Sequence, residues 1–201
     1  MRTWQWVLTG IGIITVAAFL AGMSTFRSYT IPTGSMENTL RVGDHILTTP
    51  DTSVERGDII VYHPIGRPSE TYLKRVVGIP GDHIRIVDKP FLLNGVAMKE
   101  PYVQHTTAYV DNYRDNFPSS EIGPLATPAV LAMLRDHVRD NELIVPPGNY
   151  FVMGDNRDNA ADSRFEGFAP FEKVIGKPWL IWRREREGFV LQKIDGYPLG
   201  R

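Results

Sequence analysis

The sequence predicts a mainly β protein preceded by one N-terminal transmembrane helix. Three observations carry that expectation. Residues 3–26 contain no charged side chain, the chain beyond them breaks into short β-branched and aromatic runs, and turn residues separate those runs. Period-poor apolar length argues for a span, and short runs bounded by Gly, Asp and Pro argue for strands.

The elements follow in chain order. The inner part of the first run, Trp6 to Met23, matches the roughly 20 apolar residues that cross a hydrocarbon core as helix. It is longer than the apolar region of a cleavable signal peptide, about 7–15 residues, and apolar all round rather than on one stripe. Trp4 and Trp6 stand where interfacial anchors belong, whereas Arg2 and Arg27 leave the orientation unmarked. Strands are expected at His45–Thr48, Ile59–Tyr62, Tyr72–Val77, Ile84–Val87, Tyr150–Met153 and Trp179–Trp182. Gly-Asp pairs at Gly43-Asp44, Gly57-Asp58, Gly81-Asp82 and Gly154-Asp155 mark tight turns of a meandering sheet.

The stretch from Gln104 to Asn149 is polar and rich in Asn, Asp, Ser and Pro. It holds a helix signal: Thr127 can cap, Pro128 suits the first turn, and Val130, Leu131, Leu134 and Val138 recur at helical spacing. The expected organisation is therefore a tail and transmembrane helix over 1–26, a core over 27–98, a smaller inserted domain over 99–148, and the core's second part over 149–201. Arg183 to Glu187 reads as a solvated charge cluster.

Composition removes several function classes. Lys and Arg number 22 against 23 Asp and Glu, so nothing suggests a nucleic-acid coat. The chain has no cysteine, which excludes a disulfide scaffold, a thiolate metal site, a CxxC redox motif and a cysteine nucleophile.

Ser35 lies in Pro32-Thr33-Gly34-Ser35-Met36-Glu37-Asn38-Thr39-Leu40. On its own a serine in a Pro/Gly turn is usually a turn residue, and Glu37 breaks the G-x-S-x-G elbow. A serine nucleophile needs a base within reach, and none of the five histidines sits in a triad context. Lys74, in Thr71-Tyr72-Leu73-Lys74-Arg75-Val76-Val77, is the other option. Strand alternation puts Lys74 on one face with Tyr72 and Val76, and Arg75 on the other. A free lysine is neutral only about once in 2,500 molecules at pH 7, so it serves as a base only if burial lowers its pKa. Alternation alone points rather to a lysine that snorkels to water.

Gly154 to Glu166 holds four aspartates or glutamates among arginines. It is not a calcium loop, because Arg157 puts a cation at the third position and Ala160 replaces the sixth-position glycine. The carboxylates read as partners for Arg157, Arg164 and Arg75, holding an irregular loop by charge-assisted hydrogen bonds. No G-x-x-x-x-G-K-[ST] phosphate loop is present.

Together these blocks resemble the bacterial type I signal peptidases, membrane-bound serine endopeptidases that remove signal peptides. The likeness covers the N-terminal span, Pro32–Leu40, Val42–Leu47, Arg56–Tyr62, Tyr72–Asp82 and Gly154–Phe168. It implies a β-rich catalytic core with a smaller inserted domain. It also implies Ser35 as nucleophile and Lys74 as general base, with an oxyanion hole from the Ser35 N–H and the Thr33 hydroxyl. Arg75, Asp155, Asp162 and Arg164 would be ion-pair supports. Cleavage would follow small residues of the Ala-x-Ala type, through an acyl-enzyme. Secretory preproteins and the lipid bilayer are the implied partners, with no nucleic acid, no cofactor and no metal. The implied form is a monomer, single-pass in the bacterial inner membrane, its catalytic part outside the cytoplasm.

Two positions depart from the family pattern: Asn38 stands in place of a proline, and Ala160 in place of a serine that helps orient the lysine. Water or a backbone carbonyl would then serve Lys74 instead. The rival readings are a specialised processing peptidase of the same dyad class, a self-cleaving repressor of that class, and a membrane-anchored β-domain that binds a partner without chemistry. No helix-turn-helix supports the repressor, and the binder leaves the arrangement of Thr33, Ser35 and Lys74 to coincidence.

Overall fold

The computed structural model describes residues 25–119, 126–194 and 196, together with Trp4, Trp6, Leu8, Ile11 and Thr15, which are helical and exposed. No helix among the described residues is long and apolar enough to cross a membrane. The transmembrane helix expected over 1–26 lies, apart from those five positions and Thr25 and Phe26, outside the described residues.

The rest is mainly β. The strands are β1 Arg27–Thr30, β2 His45–Thr49, β3 Ile59–Tyr62, β4 Tyr72–Gly78, β5 His83–Ile86, β6 Phe91–Leu93, β7 Val96–Ala97, β8 Val138–Arg139, β9 Glu142–Ile144, β10 Asn149–Met153, β11 Ala169–Pro170, β12 Val174–Glu185 and β13 Gly188–Lys193. Among the described residues after Phe26, two α-helices, α1 Pro128–His137 and α2 Ser163–Glu166, complete the framework. One eight-stranded sheet runs β1-β2-β12-β3-β4-β10-β11, with β13 paired to β12. A five-stranded sheet runs β7-β6-β5-β9-β8. All the strand pairs are antiparallel.

Three of the four Gly-Asp pairs build the same turn. Gly43, Gly57 and Gly81 have φ near +90°, where a Cβ is strained. Asp44, Asp58 and Asp82 each accept the N–H of the residue three positions earlier: Arg41, Glu55 and Ile79, at 2.8–3.0 Å. The fourth pair, Gly154-Asp155, has a different task, described below.

β3 is buried on both faces, and its two edges are covered by β12 and β4. Ile59 and Val61 pack with Met36, Leu40, Ile46 and Ile181, whereas Ile60 and Tyr62 pack with Val76, Tyr150 and Val152. Met36 and Leu40 are completely covered. Burying each contributes about 1.5–3 kcal/mol, and together they pin the segment carrying Ser35 onto the sheet.

The second sheet shares its core with the first: Ile84, Phe91, Phe117 and Leu143 pack against Val77, Phe151 and Met153. Its strands β5–β7 precede residue 99, while β8 and β9 fall inside the segment 99–148. α1 begins where its cap signal stands, with Thr127 Oγ1 accepting the Val130 N–H. Val130 and Met133 face the core, and Leu131 is exposed. Val138 ends the helix and enters β8. The Arg183–Glu187 charge cluster is the tip of the β12–β13 hairpin.

Candidate active site

Ser35 sits in a 3-10 turn, Gly34–Met36, just ahead of the two apolar anchors of its segment, Met36 and Leu40. The turn is closed by Glu37 N–H to Gly34 O at 3.2 Å, and Leu40 N–H reaches Met36 O at 2.8 Å. The Ser35 N–H lies at the start of this turn, ahead of the groups that the turn satisfies.

Lys74 is on β4, between β3 and β10, so both flanks of its strand are covered. It is only 6% exposed, and Ser35 is 8% exposed. The Lys74 Nζ lies 3.0 Å from Ser35 Oγ and 3.1 Å from the Leu73 carbonyl oxygen. The Tyr72 ring is 5.3 Å away. Burial pulls the Lys74 pKa down to about 8, against the opposing pull of Asp162, Asp155 and Glu166. Desolvation wins because the carboxylates are themselves committed to arginines. Thr33 Oγ1 lies 3.5 Å from Ser35 Oγ. A cleft of about 620 Å³ opens onto these groups, walled by Pro32, Met36, Ile46, Val61 and Leu73. The lysine does not snorkel: its strand is central, and the Ser35 turn roofs it.

Behind this pair lies a layer of buried arginine–carboxylate bonds. Arg75 makes a bidentate pair with Asp155 (2.8 and 2.7 Å), donates to the Gly57 carbonyl at 2.7 Å and stacks on the Tyr102 ring at 4.0 Å. Thr39 Oγ1 also donates to Asp155. Arg164 makes a second bidentate pair with Asp162 (2.9 and 2.8 Å), and Asp162 accepts the Gly154 N–H at 3.0 Å. Arg157 turns away from the loop's own carboxylates to Glu100, at 3.0 and 2.5 Å. The reason is topological. Residues 100–104 cross the back of the loop, where Gln104 N–H bonds Asp155 O and Arg157 N–H bonds Gln104 O.

Gly154 and Asn156 join this layer to the nucleophile turn. A Cβ on Gly154 would stand 2.6 Å from the Ser35 carbonyl oxygen and 2.4 Å from the Ala160 Cβ. Asn156 holds the turn with two bonds, its backbone N–H to Ser35 O at 3.1 Å and its Nδ2 to Gly34 O at 3.1 Å. Ala160 offers Lys74 no polar group. Ser163, the nearest buried hydroxyl in sequence, accepts from the Val152 N–H instead.

Sequence reasoning singled out Thr33, Ser35, Lys74, Arg75, Asp155, Asp162 and Arg164, and the structure brings all of them to one place. It missed Glu100, Tyr102, Gln104 and Asn156. Asn156 stood in the quoted loop, but an asparagine among eight other polar residues carries no separate signal. Among the described residues, His105, Asp115 and Asp158 come close enough to offer donors to a metal. Arg114 already pairs with both carboxylates, at 2.8 and 3.3 Å.

Comparison with known proteins gives one answer. The family model described as "Signal peptidase, peptidase S26" matches residues 3–183. A signal peptidase I of Rickettsia bellii is 28% identical over 202 residues, covering 85% of this chain and 70% of the relative. A signal peptidase I of Pseudomonas aeruginosa is 33% identical over 185 residues, covering 77% of this chain and 63% of the relative. A signal peptidase I structure from Enterococcus faecalis shares 29% identity with a TM-score of 0.45, covering 62% of this chain and 96% of that one. With the match running almost from end to end, this chain belongs to the signal peptidase family, peptidase S26, and is a serine endopeptidase.

Proposed function

We propose that the protein cleaves signal peptides from exported preproteins, with Ser35 as nucleophile and Lys74 as its general base. The observation that carries this reading is the 3.0 Å contact between Ser35 Oγ and a Lys74 Nζ that is almost wholly removed from water. An amine titrating near 8 is neutral in about one molecule in ten at pH 7. That is about 250 times the fraction for a solvated lysine.

In the forward step Lys74 takes the Ser35 proton as Oγ bonds to the scissile carbonyl carbon. The developing oxyanion is held by the Ser35 N–H and the Thr33 hydroxyl. The Lys74 ammonium then gives its proton to the departing amine, leaving an ester on Ser35. Water attacks that ester with Lys74 again as base, and the acyl product leaves. The Leu73 carbonyl supports Lys74 in place of the hydroxyl that Ala160 lacks. Arg75, Asp155, Asp162 and Arg164 hold the floor and touch no reacting atom.

The apolar cleft would take small side chains at the positions before the cut, of the Ala-x-Ala type, as part of this proposal. We further propose that residues 1–26 span the bilayer once. Ser35 follows Met23 by twelve residues, so even an extended chain keeps it within about 40 Å of the span. A scissile bond just outside the membrane suits that tether, with the catalytic part facing outward from the bacterial inner membrane.

The test is incubation of the detergent-solubilised protein with a preprotein carrying an Ala-x-Ala site. Cleavage at that site is expected, and its loss in Ser35→Ala and Lys74→Ala with the thermal transition retained. Processing by Ser35→Ala at the wild-type rate would overturn the assignment.

A further inference from the structure

A second cavity of about 430 Å³ is walled by β1, β2, the end of β3 and the start of β12. Its lining includes Arg27, Thr48, Thr49, His63, Glu172 and Lys173. Among the described residues neither Arg27 nor Lys173 has an ion-pair partner. Two permanent cations face one carboxylate, so the rim is positive. Thr48 lines the same cavity and is 2% exposed, yet its Oγ1 has no hydrogen-bond partner. The neighbouring Thr49 hydroxyl is spent on the Lys177 carbonyl oxygen at 3.3 Å. An orphaned buried hydroxyl costs about 1–3 kcal/mol.

The sheet register places these groups for joint use. Arg27 lies directly opposite Thr48 in the β1–β2 pair, so the two side chains leave the same face within about 5 Å of each other at Cβ. Lys173 closes the third side, its carbonyl accepting the His63 N–H at 3.0 Å. A guanidinium, an ammonium and a hydroxyl around one hollow are the donors that a phosphate takes.

Location names the source of that phosphate. Arg27 is the first charged residue after the uncharged stretch 3–26, so on the reading of that stretch as a span it stands at headgroup depth. Phe26, beside it, packs on the half-exposed Trp179 with ring centroids 6.2 Å apart, and aromatic side chains gather at that depth. We infer that Arg27, Thr48 and Lys173 form a binding site for the phosphate of an anionic membrane lipid. The site orients the catalytic sheet on the bilayer without touching the reacting atoms.

The experiment uses the full chain in a neutral detergent, titrated with soluble short-chain phosphatidylglycerol, short-chain phosphatidylcholine and inorganic phosphate. Saturable binding of phosphatidylglycerol is expected, at least tenfold tighter than either of the others. Thr48→Val removes only the hydroxyl. It is expected to weaken phosphatidylglycerol about tenfold while its own lipid-free thermal transition stays equal or rises, since the orphaned oxygen is gone. Arg27→Gln with Lys173→Gln, both at the surface, is expected to abolish binding while cleavage of a soluble peptide substrate is unchanged. Equal phosphatidylglycerol binding by wild type and Thr48→Val would overturn the site and leave only diffuse surface charge. Inorganic phosphate binding as tightly as the lipid would overturn the lipid assignment. Flotation with phosphatidylcholine vesicles separates the two readings. Failure of wild type to float removes the span, and flotation with no effect of these variants on phosphatidylglycerol binding removes the site alone.

Discussion

Replacing Lys74 by methionine should abolish activity and make the protein more stable at neutral pH. Burial lowers the Lys74 pKa from 10.5 to about 8, a shift worth about 3 kcal/mol at about 1.4 kcal/mol per unit. The sign follows from proton counting. Between pH 8 and 10.5 the unfolded chain holds the proton that the folded one has lost, so stability rises with pH through that window. Below pH 8 the folded protein carries the whole cost of a buried ammonium. Methionine matches the length without the charge, so at pH 6.5 the variant escapes that cost and gives up the hydrogen bonds to Ser35 Oγ and Leu73 O, about 1 kcal/mol each. A net gain of about 1 kcal/mol follows, or about 2–4 °C in Tm for a domain of this size. At pH 10.5 the gain should vanish or reverse. The assay is a pair of thermal unfolding scans of wild type and Lys74→Met at the two pH values. It goes with the pH dependence of wild-type kcat/KM, whose ascending limb should centre near 8 and rise about tenfold between pH 7 and 9. A variant equally destabilised at both pH values, or a limb centred near 10.5, would refute the reasoning.

Three further outcomes are expected. Thr33→Val should lower kcat about 100- to 1,000-fold with little change in KM, as removal of a donor used only in the transition state does; steady-state peptide cleavage reads it. Asp155→Asn leaves the Arg75 guanidinium buried at 2% exposure without its charge partner, and chemical denaturation should show a loss of about 3–5 kcal/mol. Gly154→Ala drives a Cβ into the Ser35 carbonyl oxygen and should cost about 1–3 kcal/mol together with most of the activity. Adding Ala160→Gly relieves the contact with residue 160 but not the one with Ser35, so the double variant should recover only part of the lost stability and stay slow.

Local chemistry was legible in the sequence, and long-range chemistry was not. The Gly-Asp turns, the Thr127 cap and the strand through Lys74 follow from nearest neighbours, and each of those elements has its physical reason within a few residues. The depth of Lys74 does not, since alternation along one strand cannot report that β3, β10 and a roof from residues 34–36 enclose it. Arg157 illustrates the same limit: its loop offered four nearer carboxylates, and the chain instead supplied Glu100 from 57 positions away. Leu131 shares the helical spacing of Val130 and Leu134 yet is exposed, because a helical stripe is about 100° wide and residues at its margin are decided by what packs there. β13 escaped because Gly188 to Lys193 alternates around mostly exposed positions, and its pairing with β12 rather than its burial makes it a strand.

The crossing of residues 100–104 behind the Asp155 loop has a consequence for how the molecule tolerates surgery. Tyr102 lies on Arg75, Glu100 clamps Arg157, and Gln104 bridges Asp155 to Arg157. The smaller sheet is therefore yoked to the chamber rather than hung beside it. Shortening or swapping it works only if this five-residue buckle is carried along, because its removal unfastens the arginines on which the serine's scaffold rests.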